Sequence, residues 1–120
     1  MKSKDRIVLS KILDYVEQVN DALNMFGNDF DKFMSITVFS NACCMCILQI
    51  GELCKVLSDE LKTQEKEIPW KSWCGIRDIF AHQYSNLDYQ SAWDTICNDL
   101  PELQNNIQRI LLKNDQDMFN

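Results

Sequence analysis

Three glycines and two prolines are the only strong backbone punctuation in 120 residues, and that scarcity constrains the fold more than any other feature. A β-sandwich or barrel turns sharply every ten residues or so and draws on Gly and Pro to do it. A chain so poor in both is left with long helices, and the spacing of its apolar residues agrees. Over residues 5–26, Ile7, Val8, Ile12, Tyr15, Val16, Val19, Ala22, Leu23 and Phe26 recur at intervals of three and four, which places them on one helical face. Gly27-Asn28-Asp29 ends that helix and offers a cap for the next.

The same reading predicts a second helix over about 29–62, apolar nearly all round between 36 and 53, and so either central or part of an interface. The polar run 58–67 is its exit and a loop. Pro69 fits the first turn of a third helix reaching to about 84. Asp88 caps a short fourth helix containing Tyr89, Ala92, Trp93, Ile96 and Cys97, which Asn98-Asp99 ends. Pro101 opens a fifth, with Leu103, Ile107, Ile110 and Leu111 as its apolar face, and residues 114–120 are expected to fray. The expected architecture is all-α: an up-down bundle of four to five helices forming one domain over 1–120.

The N-terminal residues are charged and lead into no apolar h-region, so a cytoplasmic protein is expected. The most hydrophobic window, 33–51, is interrupted by Ser35, Thr37, Ser40, Asn41 and Gln49 and reads as a core helix, with no membrane partner. Six cysteines without a secretory signal are expected to stay reduced. Cys43, Cys44 and Cys46 lack the C-x2-C spacing of a metal site and have no His near them in sequence, so they read as small core side chains, and no metal or other cofactor is expected. A formal charge of −6 excludes a general nucleic-acid surface, DNA included. It leaves room for local cations on RNA, and it suits a basic protein partner.

His82 is the single histidine, and Arg77, Asp78 and Tyr84 lie within five positions of it. At about 100° per residue, Arg77, Asp78, His82 and Tyr84 share one arc with the small Ala81 among them, while Trp73, Ile76 and Phe80 fall to the other side of Arg77. Metal-free RNA cleavage requires a base for the ribose 2′-hydroxyl, an acid for the leaving 5′-oxygen and a fixed cation on the phosphorane. His moves protons near neutral pH, and the Arg fork matches phosphate oxygens. From one straight helix Arg77 and His82 diverge, whereas a two-fold dimer brings the Arg of one chain toward the His of the other. Spacing alone leaves a second reading open, in which His82 is a satisfied polar residue and Arg77–Asp78 a solvated pair.

The octet Arg77-Asp78-Ile79-Phe80-Ala81-His82-Gln83-Tyr84 resembles the R-x4-H-x-Y signature of the HepT group of HEPN proteins. Ile50-Gly51-Glu52, Ile68-Pro69-Trp70, Gly75-Ile76-Arg77, Trp93 and Asn98-Asp99-Leu100-Pro101-Glu102-Leu103 follow in that group's order, so the resemblance spans about 7–112. It implies a HEPN-like helical homodimer acting as the toxin of a toxin–antitoxin pair. In that role Arg77 and His82 are the catalytic residues of a metal-independent endoribonuclease acting on tRNA or mRNA. The implied partner is a minimal nucleotidyltransferase antitoxin that transfers AMP from ATP to Tyr84. An adaptor that binds the nucleotidyltransferase without catalysis is the alternative. One position departs from the group: Asn commonly follows the Arg, and here Asp78 stands instead, a carboxylate that pairs with His82 or repels phosphate. Glu52 reads as a solvent-facing acid or the partner of a Lys or Arg.

Overall fold

The computed structural model describes residues 1–81 and 88–119, and among them every regular element is helical. Helix α1 (Ser3–Phe26) buries Val8, Leu9, Ile12, Val16, Val19 and Ala22. Its main partner is α3 (Thr37–Lys55), and α8 (Leu100–Phe119) packs against it as well. The expected apolar stripe is therefore the face that α1 turns to the bundle, although Ile7 falls outside it and is exposed. The short helices α2 (Phe30–Ser35), α4 (Asp59–Gln64), α5 (Trp70–Cys74), α6 (Ile76–Ala81) and α7 (Tyr89–Asp94) complete the bundle around these long ones.

Several boundaries differ from the sequence reading, among them the C-terminal stretch 114–119, which is helical and not frayed. The expected second helix is divided into α2, α3 and α4. At Ile36 the backbone turns extended (φ −95°, ψ 96°). The Ile36 N–H still closes α2 on the Lys32 carbonyl, and its own carbonyl accepts from Phe39 and Ser40 to open α3. The β-branched run Ile36-Thr37-Val38 is a poor place to propagate a helix, which makes the break inexpensive. At the other end Ser58, expected within a helix exit, caps α4 through its side chain, and Leu61, expected on the apolar side of the helix end, is buried on α4.

The second difference is Gly75, where the expected third helix is divided into α5 and α6. The third is at Asn98-Asp99, where the chain does not stop but widens into a π turn (Thr95–Asp99) and continues into α8. Pro101 explains the widening. It has no N–H to donate and its ring would clash with the carbonyl four residues back, and the turn just before it, in which the Leu100 N–H reaches the Thr95 carbonyl, relieves that crowding. Helix α8 runs on to Phe119, with Asp115 2.7 Å from Arg6.

Two interactions fix the frame. Asp5 is a buried acid, only 2% exposed, that accepts hydrogen bonds from the Ser58 backbone N–H (2.9 Å) and hydroxyl. It joins the start of α1 to the cap of α4. An aromatic cluster joins α2, α3 and α7: Phe33 meets Phe39 edge-on at 5.4 Å and Trp93 at 5.1 Å, with Tyr89, Phe30 and Phe26 around them. Of the cysteines, Cys43, Cys44, Cys46 and Cys54 are buried on α3 as core side chains. Burial pushes the thiols of Cys43, Cys44 and Cys54 up to about 12.

Asp5→Ala removes both acceptors of Ser58 and is expected to cost about 1–3 kcal/mol in urea unfolding. Asp5→Asn, which keeps one acceptor, is expected to cost less. A thiol alkylation time course at pH 8 should label exposed Cys97 first and leave Cys43, Cys44 and Cys54 unmodified until the chain unfolds, because thiolate is the reactive form.

Candidate active site

Arg77 is placed by a close approach of two backbones. A Cβ at Gly51 would lie 2.5 Å from Ile76 Cγ2 and 2.6 Å from the Trp73 carbonyl oxygen. No other residue leaves room for α5 and α6 to seat so deeply on α3. Trp73, Ile76 and Phe80 are buried at that contact side of the motif, and Trp70 is locked by its indole N–H, which donates to the Glu65 carbonyl at 3.0 Å. Burial of one side of a short helix commits the other side to solvent. Arg77 and Asp78 lie there, both exposed, as the expected arc requires.

The Arg77 guanidinium then meets α3. It stands 3.6 Å from Glu52 Oε1, and Lys55 Nζ stands 3.2 Å from the same oxygen. Glu52 thus has the bland role the sequence allowed it, as the partner of a Lys and an Arg. Its consequence is positional: one carboxylate gathers two cations at a single surface point. With Arg77 67% exposed and Glu52 39% exposed, the pair contributes roughly 0–1 kcal/mol to stability and is easily exchanged for another anion. Lys55 was not among the residues singled out in the sequence. Its signal there is weak, an acid three residues before a Lys at the end of a helix.

Asp78 sits in the first turn of α6, where its backbone N–H donates to the Gly75 carbonyl at 3.0 Å. A carboxylate at a helix start is favoured by the unpaired N–H groups there. His82 and Tyr84 lie outside the described residues. The helices on either side of them are both anchored: α6 through Gly51 and Ile76 to α3, and α7 through Tyr89 and Trp93 to the aromatic cluster. Among the described residues no group of three or more His, Cys, Asp or Glu is placed to hold a metal ion.

The outer side of α3 carries a further feature. Val38 is 68% exposed and Met45 57%, and Ala42 between them is exposed as well. Val38, Met45 and Glu52 are seven residues apart in turn, which sets them along one side of the helix. An uncovered apolar stripe therefore runs along α3 and ends at the acid that holds Arg77. By length and composition α3 is also apolar enough to cross a membrane, and half of that stretch is buried in the bundle.

Residues 12–110 match the family model described as HepT-like, ribonuclease HepT-like, and the chain belongs to that family. Among its relatives, the candidate RNase TTE0752 of Caldanaerobacter subterraneus subsp. tengcongensis is 33% identical over 87 residues, covering 72% of this chain and 78% of the relative. The candidate RNase MJ1216 of Methanocaldococcus jannaschii is 27% identical over 107 residues, 88% of each chain. The probable ribonuclease HepT of Thermococcus cleftensis is 26% identical over 102 residues, 81% of this chain and 93% of the relative. No solved structure matches the chain.

Gly51→Ala tests the seating of the motif. It should force α5 and α6 off α3, lower stability by about 1–3 kcal/mol in thermal or urea unfolding, and shift the fluorescence of Trp70 and Trp73. Glu52→Gln, which keeps the packing, should leave stability within about 0.5 kcal/mol of the parent.

Proposed function

We propose that this chain is the toxin of a toxin–antitoxin pair and cuts RNA without a metal, at a site assembled from two copies of itself. The observation that supports this most directly is the placement of Arg77. It stands exposed on a rigidly seated helix, beside Lys55, with only a weakly held carboxylate between them and solvent. An incoming phosphate can take the place of Glu52 as the anion that the two cations share. This local pairing also answers the charge of −6, because RNA need meet only the few cations at this point.

In the proposed reaction His82 takes the proton of the ribose 2′-hydroxyl, whose oxygen attacks phosphorus. The bond from phosphorus to the 5′-oxygen breaks, and a second His82, from the other copy, protonates that oxygen. The products are a 2′,3′-cyclic phosphate and a 5′-hydroxyl. Arg77 holds the phosphorane charge. Dimerisation is supported by the stripe of Val38, Ala42 and Met45, since a copy covering it lies beside the Glu52–Arg77 pair and brings its own motif near. Tyr84 is the proposed acceptor of AMP: its phenol oxygen attacks the α-phosphorus of ATP and pyrophosphate leaves. The partner doing this is a minimal nucleotidyltransferase. The added phosphodiester sets negative charge two residues from His82, where RNA phosphate must bind.

The adaptor reading draws on the net charge of −6 and on the exposed Asp78 next to Arg77. Cleavage of a mixed tRNA and mRNA pool in EDTA separates the two. The unmodified chain should cut, while His82→Ala and Arg77→Ala, matched for folding by circular dichroism, should each lose about 100-fold or more. Asp78→Asn should cut as well as the parent or better. An unmodified parent chain that leaves the pool intact makes the adaptor the correct reading.

A further inference from the structure

A second feature lies across the motif helices from Arg77. Between α5, the first turn of α6, the π turn and the first turns of α8 runs a groove of about 340 Å³. Its floor is apolar and buried, made of Trp73, Ile76 and Leu103. On its rim stand the exposed carboxylates of Asp99 and Glu102, three residues apart and so on neighbouring positions of one helical surface. Asp99 is held above the usual carboxylate range, first by partial burial and then by the negative charges of Glu102 and Asp94. Among the described residues no ion pair joins Asp99 or Glu102 to a Lys or Arg. The rim is thus an uncompensated negative pair set over an apolar trough.

We infer that this groove is a docking site for an apolar segment of a different polypeptide that carries an arginine. The apolar floor accepts the segment's aliphatic part and the methylene stem of the arginine. Its guanidinium fork is suited to two carboxylates at neighbouring positions, and it tolerates partial desolvation better than an ammonium does. A second copy of this chain fits less well, because it brings the same excess of carboxylates to an already acidic rim. Ile76 forms part of the floor and immediately precedes Arg77, so an occupant here touches the helix that carries the candidate site. The inference concerns binding alone and stands apart from the ribonuclease reading.

The test is an amide NMR titration of the isotope-labelled chain with the blocked peptide acetyl-Leu-Arg-Leu-amide, beside the same peptide with uncharged, near-isosteric citrulline in place of arginine. The arginine peptide should move the amides of Trp73, Thr95, Asp99 and Leu103, and citrulline should weaken binding roughly tenfold, the equivalent of about 1.4 kcal/mol. The Asp99→Asn, Glu102→Gln double variant should lose the same factor for arginine and change little for citrulline. The variant relieves a repulsion, so its folding should be intact, which its own amide spectrum checks. Equal binding of the two peptides, undiminished binding by the double variant, shifts confined to another face, or no shifts at all would each overturn the inference.

Discussion

The seating of α5 and α6 on α3 depends on one absent side chain, that of Gly51. A Cβ there would collide with Ile76 Cγ2 and the Trp73 carbonyl oxygen, so the segments approach more closely than any side chain permits. The orientation of the described part of the motif follows from this contact. Burial of Trp73 and Ile76 against α3 decides which side of the short helices faces out, and Arg77 is on that side. The helix breaks at Gly75, between α5 and α6, and both pieces keep an apolar side toward the bundle, with Trp70 and Trp73 buried on one and Ile76 and Phe80 on the other. Rigid seating suits the phosphate contact proposed for Arg77, since preorganised charge needs no rearrangement when negative charge develops.

Electrostatics act on a smaller scale than the net charge suggests. Screening limits exposed charges to a reach of about 8–10 Å at ordinary salt. A surplus of acids spread over the surface therefore matters less at Arg77 than Glu52, Lys55 and Asp78 do. Two cations share the single Glu52 carboxylate there, and Asp78 stands exposed next to Arg77 in sequence. At the groove lined by Ile76 and Trp73, the carboxylates of Asp99 and Glu102 have no such ion pair among the described residues. The two sides of the motif thus differ in charge, which agrees with the anion proposed for the Arg77 side and the cation inferred for the groove.

Much of this was legible in the sequence, and what was not has physical causes. The three-and-four spacing that put Val8, Ile12, Val16 and Val19 on one face is a local property, and those residues are buried. Ile7 was grouped with them but is exposed, and Leu9, left out of the pattern, is fully buried, because helix rotation is decided by what packs opposite. The wheel that turned Trp73, Ile76 and Phe80 inward and Arg77 and Asp78 outward also matches the structure. Ile36, Ser58 and Gly75 interrupt runs that periodicity alone reads through, and at Ser58 the reason is tertiary, its backbone N–H and hydroxyl being held by Asp5 from α1. The π turn required seeing Pro101 as the reason to widen a helix when it read as the opening of a new one. Glu52 meets Arg77 across 25 positions of sequence, a distance that no spacing rule reports.

The central claim is that Arg77 of one copy works with His82 of another on one phosphodiester, and mixing two inactive variants tests it most directly. Arg77→Ala and His82→Ala chains are unfolded together, refolded at equal concentration, and assayed for RNA cleavage beside each variant alone and the parent. In a mixed dimer one chain still offers Arg77 and the other His82, so the account predicts that the mixture regains a substantial part of the parent's activity while each variant alone stays inactive. A mixture as inactive as either variant, beside a parent that cuts, would contradict it and place both residues of each working site on a single chain.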